Sequence, residues 1–102
     1  MKIICIMILI AAVAFLTGIS SASTVHVGIS NFQFQPSDVA IQKGDTVTWT
    51  NMDTVVHDVK FKDSESPNLK KGDTYSRTFN SPGTFEYLCD IHPYMKGKVI
   101  VK

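Results

Sequence analysis

From Val25 to the end of the chain, short runs in which apolar side chains recur at every second position are separated by turns and polar loops. Val25, Val27 and Ile29 alternate with His26 and Gly28, and Val47 and Trp49 alternate with Thr46, Thr48 and Thr50. That is the period of a strand with one buried face, and no convincing stripe at helical spacing competes with it. Phe32 and Phe34 extend the first run until Pro36-Ser37-Asp38 breaks it. Val39 and Ile41 form a short strand before the turn Lys43-Gly44-Asp45. After a loop through Asn51-Met52-Asp53, His57, Val59 and Phe61 share one face, with Asp58, Lys60 and Lys62 on the other. A polar loop spans Asp63 to Asn68. Further strands are expected from Tyr75 to Phe79, through Phe85, Tyr87 and Cys89, and at Val99 and Val101. Short strands separated by Gly, Pro and Asp turns predict an all-β, antiparallel Greek-key β-sandwich. Trp49, Phe79, Phe85 and Tyr87 are its expected core. The stretch "KGDTVTWTN" at 43–51 echoes "KGDTYSRTFN" at 71–80. Recurring turn chemistry explains that better than duplication does.

A different signal precedes this pattern. Lys2 is followed by an apolar run from Ile3 to Leu16, then by small residues through Ala22. This reads as a secretory leader over residues 1–22, cut after Ala22, with one domain over residues 23–102; the alternative is an uncleaved membrane anchor, for which Ile3 to Ile19 is barely long enough. The protein is therefore expected in the periplasm or outside the cell, with no membrane association in its mature form. Cys5 falls inside the leader and is given no role. Removing Lys2 leaves nine basic residues against nine acidic ones, which argues against a nucleic-acid partner. Lys60, Lys62, Lys70 and Lys71 read as a solvated face. Cys89 is then the one cysteine, so no internal disulfide can hold this small exported domain together. A bound metal would both occupy the thiol and stabilise the fold.

The thiol lies in "CDIHPYM", residues 89–95. Cys89, His92 and Met95 stand three apart in a loop, where Pro93 biases His92 away from helical geometry. Strand periodicity points His57 and Cys89 inward at the ends of their strands. Where those ends meet, His57, Cys89, His92 and Met95 would gather at one pole. Two imidazoles, a thiolate and a thioether are the donor set of a blue-copper electron-transfer site. Taken singly, each residue has a plainer explanation. Cys89 would be a buried thiol, His92 a surface histidine and Met95 core filler. Zinc would not be expected to recruit methionine. A Cys–His nucleophile lacks an evident base, orienting acid or substrate loop. His26 faces away from Val25 and Val27 and is not a ligand.

The distant His57, the Cys-x2-His-x2-Met motif of Cys89, His92 and Met95, and the following "KGKVIVK" resemble the cupredoxins. The resemblance is strongest to the amicyanin group of the plastocyanin-like branch and covers essentially all of residues 23–102. It implies one type 1 copper ion on His57, Cys89, His92 and Met95. It also implies a non-enzymatic carrier of single electrons, monomeric, which meets redox proteins transiently near His92, Pro93 and Tyr94. In that group the histidine corresponding to His92 can leave copper and protonate on reduction. A copper delivery or storage protein is the alternative; it would release the ion to a partner rather than hold it through redox cycles. The chain departs from the family in one respect. Cupredoxins commonly carry Asn after the first histidine and Ser or Thr after the cysteine, whereas Asp58 and Asp90 stand here. Extra negative charge beside the metal would favour Cu(II) and lower the potential, unless both carboxylates face water.

Overall fold

A computed structural model describes residues 21–102. Apart from Ser21 and Ala22, the expected leader lies outside the described residues. Eight strands build two sheets. The first comprises β1 (Thr24–Ser30), β2 (Gln33–Gln35), β4 (Thr46–Asn51) and β6 (Thr74–Thr78), in the order β2-β1-β4-β6. The second comprises β3 (Asp38–Ile41), β5 (Lys60–Phe61), β7 (Gly83–Leu88) and β8 (Lys96–Val101), in the order β3-β8-β7-β5. The expected sandwich is present, but its pairing is mixed. β1 runs parallel to β4 and β3 runs parallel to β8, while the other pairs are antiparallel. Alternation along one strand carries no information on the direction of its neighbour, so the sequence could not distinguish these cases.

Inward-facing residues follow the expected period. Val27, Ile29, Phe34, Val47 and Trp49 from the first sheet meet Val39, Ile41, Phe61, Tyr87, Val99 and Val101 from the second, all buried. Trp49 lies at the centre, edge-on to Phe61 and Tyr87. Phe79 is buried as expected, whereas Phe85 is only half-buried and packs against the rim of the core. There Arg77 of β6 lies over the rings of Phe61, Phe79 and Phe85, and its guanidinium holds Asp63 through two bonds of 3.0 Å. This side chain joins an edge strand of one sheet to the apolar rim of the other.

Three local features depart from simple strands. Phe32 does not extend β1. Asn31 and Phe32 instead form a two-residue turn with φ of 55° and 59°, after which β2 folds back on β1. The segment from His57 to Phe61 is not one continuous strand either. His57 pairs with Leu69, the Val59 amide donates to Ser66 Oγ, and regular pairing with β7 covers only Lys60 and Phe61. The two "KGDT" stretches are matching turns. Gly44 and Gly72 take φ of 97° and 89°. Asp45 accepts from the Gln42 amide and donates its own amide to the Gln42 carbonyl; Asp73 does the same with Lys70. The echo is therefore accounted for by turn chemistry: a left-handed position that favours glycine, followed by an aspartate that closes the loop.

Candidate metal centre

His57 and Cys89 reach one pole from different elements. His57 is held by reciprocal backbone bonds with Leu69, His57 N to Leu69 O at 3.1 Å and Leu69 N to His57 O at 2.8 Å. Cys89 directly follows β7. The segment from Cys89 to Met95 closes on itself. The Cys89 amide donates to Met95 O (3.1 Å), the His92 amide to Cys89 O (3.2 Å) and the Met95 amide to His92 O (2.9 Å). Pro93, with no N–H to donate, sits where the loop asks for none. Met95 is buried at the start of β8, and its sulfur lies near the other three side chains.

The expected neighbours do meet. Nδ1 of His57 stands 3.2 Å from Nδ1 of His92, and Cys89 Sγ stands 3.8 Å and 3.7 Å from those two nitrogens. A small metal ion asks for a particular spacing of its donors. Metal–nitrogen bonds of about 2.0 Å and metal–sulfur bonds of about 2.3 Å, in a trigonal plane, give edges of roughly 3.5 Å and 3.7 Å. The triangle here has that size. His57 and Cys89 are fully buried and His92 is half-buried, so one imidazole edge faces outward. His26 is exposed on β1, as expected of a residue outside the site.

Several residues that periodicity did not single out complete the surroundings. Asp53 Oδ2 accepts from His57 Nε2 at 2.9 Å, which fixes the proton on Nε2 and leaves the Nδ1 lone pair facing Cys89 and His92. The same carboxylate takes the amides of Asn31 (2.8 Å) and Phe32 (3.0 Å). Burial pushes the Asp53 carboxyl up, but the bonds from the Phe32 amide, His57 and the Asn31 amide outweigh it and hold it below its ordinary value. Asn51, fully buried, donates to the carbonyls of Val55 (3.0 Å) and Leu69 (2.7 Å) and accepts from the Asp53 amide (2.9 Å). It thereby ties the loop before His57 to the segment that pairs with His57. The only hint of these roles in the sequence was the turn-like composition of "NMD".

Asp58 and Asp90 do not face each other as two free charges. Asp58 is 2% exposed and accepts the Asp90 amide at 2.7 Å, so the segments bearing His57 and Cys89 are bonded directly. Asp90 turns outward to Lys60 at 3.2 Å. Glu65 completes an acidic group. The hydrogen bond it shares with Asp58, some loss of hydration and the charges of Asp58 and Asp90 hold the carboxyl of this exposed residue above its ordinary value.

Exposed large apolar side chains among the described residues are Met52, Val55, Ile91 and Tyr94. All four lie on the two loops that carry His57 and His92.

Known proteins are similar to this chain in sequence and in fold. Residues 3–101 match the cupredoxin-like domain. Amicyanin-alpha of Methylorubrum extorquens is 44% identical over 88 residues, spanning 79% of this chain and 74% of that protein. Plastocyanin of Scenedesmus fuscus is 33% identical over 84 residues, 68% of this chain and 86% of its own length. The crystal structure of amicyanin from Paracoccus versutus superposes with a TM-score of 0.74 at 36% identity, covering 81% of this chain and 85% of that one. A two-sheet sandwich, a buried His–Cys–His triangle at one pole and these relatives agree, and the chain belongs to the cupredoxin-like domain family.

Proposed function

We propose that the protein is an exported, monomeric carrier of single electrons that holds one copper ion on His57 Nδ1, Cys89 Sγ and His92 Nδ1, with Met95 as a weak fourth donor. The observation that carries this reading is the buried triangle of two imidazole nitrogens and one thiol sulfur with a thioether nearby. When bound, copper would supply a one-electron couple that no side chain of this domain offers. A mixed set of soft sulfur and borderline nitrogen donors suits both of its oxidation states.

The protein's own part is to hold those donors still. His57 is fixed by Asp53 and by its backbone pairing with Leu69, and Cys89 by the end of β7. His92 and Met95 are fixed by the three backbone bonds within their loop. Donors anchored this firmly need little rearrangement when charge changes. That favours a carrier over a delivery or storage protein, which must open its site to a partner. Cys89, His57 and Asp53 do set a thiol, a base and an orienting carboxylate side by side, but the thiol and the His57 imidazole are fully buried; that gives a substrate no access to the sulfur and supports a carrier over a catalyst.

Redox partners are expected to dock on the apolar pole formed by Met52, Val55, Ile91, Pro93 and Tyr94, with His92 at its centre. A small, weakly charged patch suits brief encounters. The test is to add Cu(II) to the apoprotein and record visible and EPR spectra beside a Cys89→Ser control. An intense blue colour with narrow copper hyperfine splitting, absent from the control, is the expected result. A colourless protein that takes Zn(II) equally well, or no metal, sinks the proposal.

A further inference from the structure

We propose that the β1–β2 turn is a working part of the metal pole: Phe32 is a positioning residue that braces the imidazole of His92, and Asp53 locks it in place. The proposal deepens the carrier reading, and its consequence for copper rests on that reading. The brace itself concerns the two imidazoles and can be tested without metal.

The argument begins with backbone conformation. Phe32 has φ of 59°, in the left-handed region that bulky side chains avoid. Two-residue hairpin turns of this kind ordinarily place Asn and Gly at their centre. Asn31 fits the first position, but Phe32 occupies the second. A strained residue of this sort persists when its surroundings over-determine it, and such residues gather at functional sites. Here the determinant is Asp53, whose carboxylate accepts the amides of both Asn31 and Phe32. The same carboxylate also accepts from His57 Nε2. One side chain therefore sets the orientation of His57 and the conformation of the turn together.

That conformation delivers the Phe32 ring to both histidines. Its centroid lies 5.2 Å from that of His57 at 85°, and 5.0 Å from that of His92 at 76°. The imidazoles are themselves 5.1 Å apart at 67°. The three rings form a closed, edge-to-face cluster, a favourable geometry for aromatic groups. The histidines differ in what else restrains them. His57 has a carboxylate on its outer nitrogen. Among the described residues nothing hydrogen-bonds Nε2 of His92. Beyond the contacts of its Nδ1 with His57 (3.2 Å) and Cys89 (3.7 Å), its ring is held by packing, with Phe32 at 5.0 Å and the exposed Tyr94 at 6.2 Å. Phe32 is thus the nearer and better-buried aromatic support of the one imidazole that reaches the surface.

The experiment separates the ring from the turn. Glycine is unstrained at this φ, so Phe32→Gly keeps the turn and removes the ring. Imidazole 15N and 13C relaxation is measured in the metal-free protein for wild type, Phe32→Gly, Phe32→Tyr and Asp53→Ala. In wild type both rings are expected to be as ordered as the backbone. In Phe32→Gly the His92 ring should gain fast motion while the His57 Nε2–H stays protected from exchange. Phe32→Tyr should restore order, and Asp53→Ala should loosen both rings. With copper bound, Phe32→Gly should show a several-fold slower electron self-exchange and an altered EPR spectrum. Wild-type order of the His92 ring in Phe32→Gly overturns the brace, as does failure of Phe32→Tyr to retain order. Failure of the wild type to bind copper, with His92 mobility still responding to Phe32, overturns the carrier reading and leaves the brace standing.

Discussion

Gly97 shows how one residue can be dictated by a partner across the sheet. It pairs with Tyr87, and a Cβ at Gly97 would sit 2.5 Å from the Tyr87 ring and 2.6 Å from the Ser37 carbonyl. The Tyr87 ring lies over the glycine and fills the space its missing side chain leaves, within a sheet otherwise packed on the core. Burial pushes the Tyr87 phenol up to about 12, so it stays neutral. Gly97→Ala is expected to destabilise the fold by about 1–3 kcal/mol through overpacking, read as a lower midpoint in urea. The double variant with Tyr87→Phe should recover little, because the ring itself and the Ser37 carbonyl make the clash. Asp58 supports a second prediction at this scale. Asp58→Asn keeps an oxygen to accept the Asp90 amide but removes a buried negative charge next to His57. The potential of the copper protein should rise by roughly 40 mV, about 1 kcal/mol of lost preference for the oxidised ion. Voltammetry that shows no change would mean this charge does not reach the metal. That His57, Cys89, His92 and Met95 gather at one pole was legible in the sequence, from the strand period for His57 and Cys89 and from the loop spacing for His92 and Met95. Asp53, Asn51 and Phe32 were not. Their roles depend on where a turn with positive φ comes to rest against a loop over 20 residues away, and no local pattern encodes that.

The elements divide in the same way. β1, β4, β7 and β8 were readable because each buries one face against the opposite sheet for several residues in succession. The stretch from His57 to Phe61 was only half readable. Its inward residues are as expected, but Ser66 and Leu69 replace a neighbouring strand as its hydrogen-bond partners. The turn that starts β4 and the loop that follows β5 set how the sandwich should respond to acid. The Ser23 and Gln42 amides hold the Asp45 carboxyl below its ordinary value of 3.8, and Arg77 does the same for Asp63. A lowered carboxyl contributes stability that is full above its ordinary value and is lost as pH falls through the folded value. Glu65, held above its ordinary value, works the other way and favours the folded state as it takes up a proton. Stability should therefore pass below pH 4 with a net loss set by Asp45, Asp63 and Asp53, which is likewise held below its ordinary value. Asp45→Asn should flatten that acid limb, followed as urea midpoints from neutral pH down to about pH 3. An unchanged slope in this variant would mean that the Ser23 and Gln42 amides bind the carboxyl no better than water does.

At the scale of the whole molecule, the question is what holds together a domain this small with no disulfide. Its core is continuous but thin: two four-stranded sheets with one layer of side chains between them, and the described residues hold a single free cysteine, Cys89. Domains of this size have little stability in reserve, and many add a staple. The metal site lies where a staple can act on several segments at once. His57 leads into β5, Cys89 follows β7, and Met95 precedes β8, so one ion would add a tie among three segments that the Cys89 amide to Met95 carbonyl bond and the Asp90 amide to Asp58 bond already bring together. A ligand that binds only the folded state adds about 2.7 kcal/mol at a free concentration 100 times its dissociation constant. In a domain of this size that raises the melting temperature by on the order of 10 °C or more. The holo protein should therefore melt well above the apoprotein. Cys89→Ser removes one donor while leaving the backbone bonds of its loop in place, so apo Cys89→Ser should melt close to the wild-type apoprotein but gain little on adding copper. Calorimetry of the four samples decides it. Equal metal-induced shifts in wild type and Cys89→Ser would place the stabilising ion elsewhere. A wild type that gains nothing from copper would mean that the folded state binds the ion no better than the unfolded chain does, and that the packed core holds the sandwich together without it.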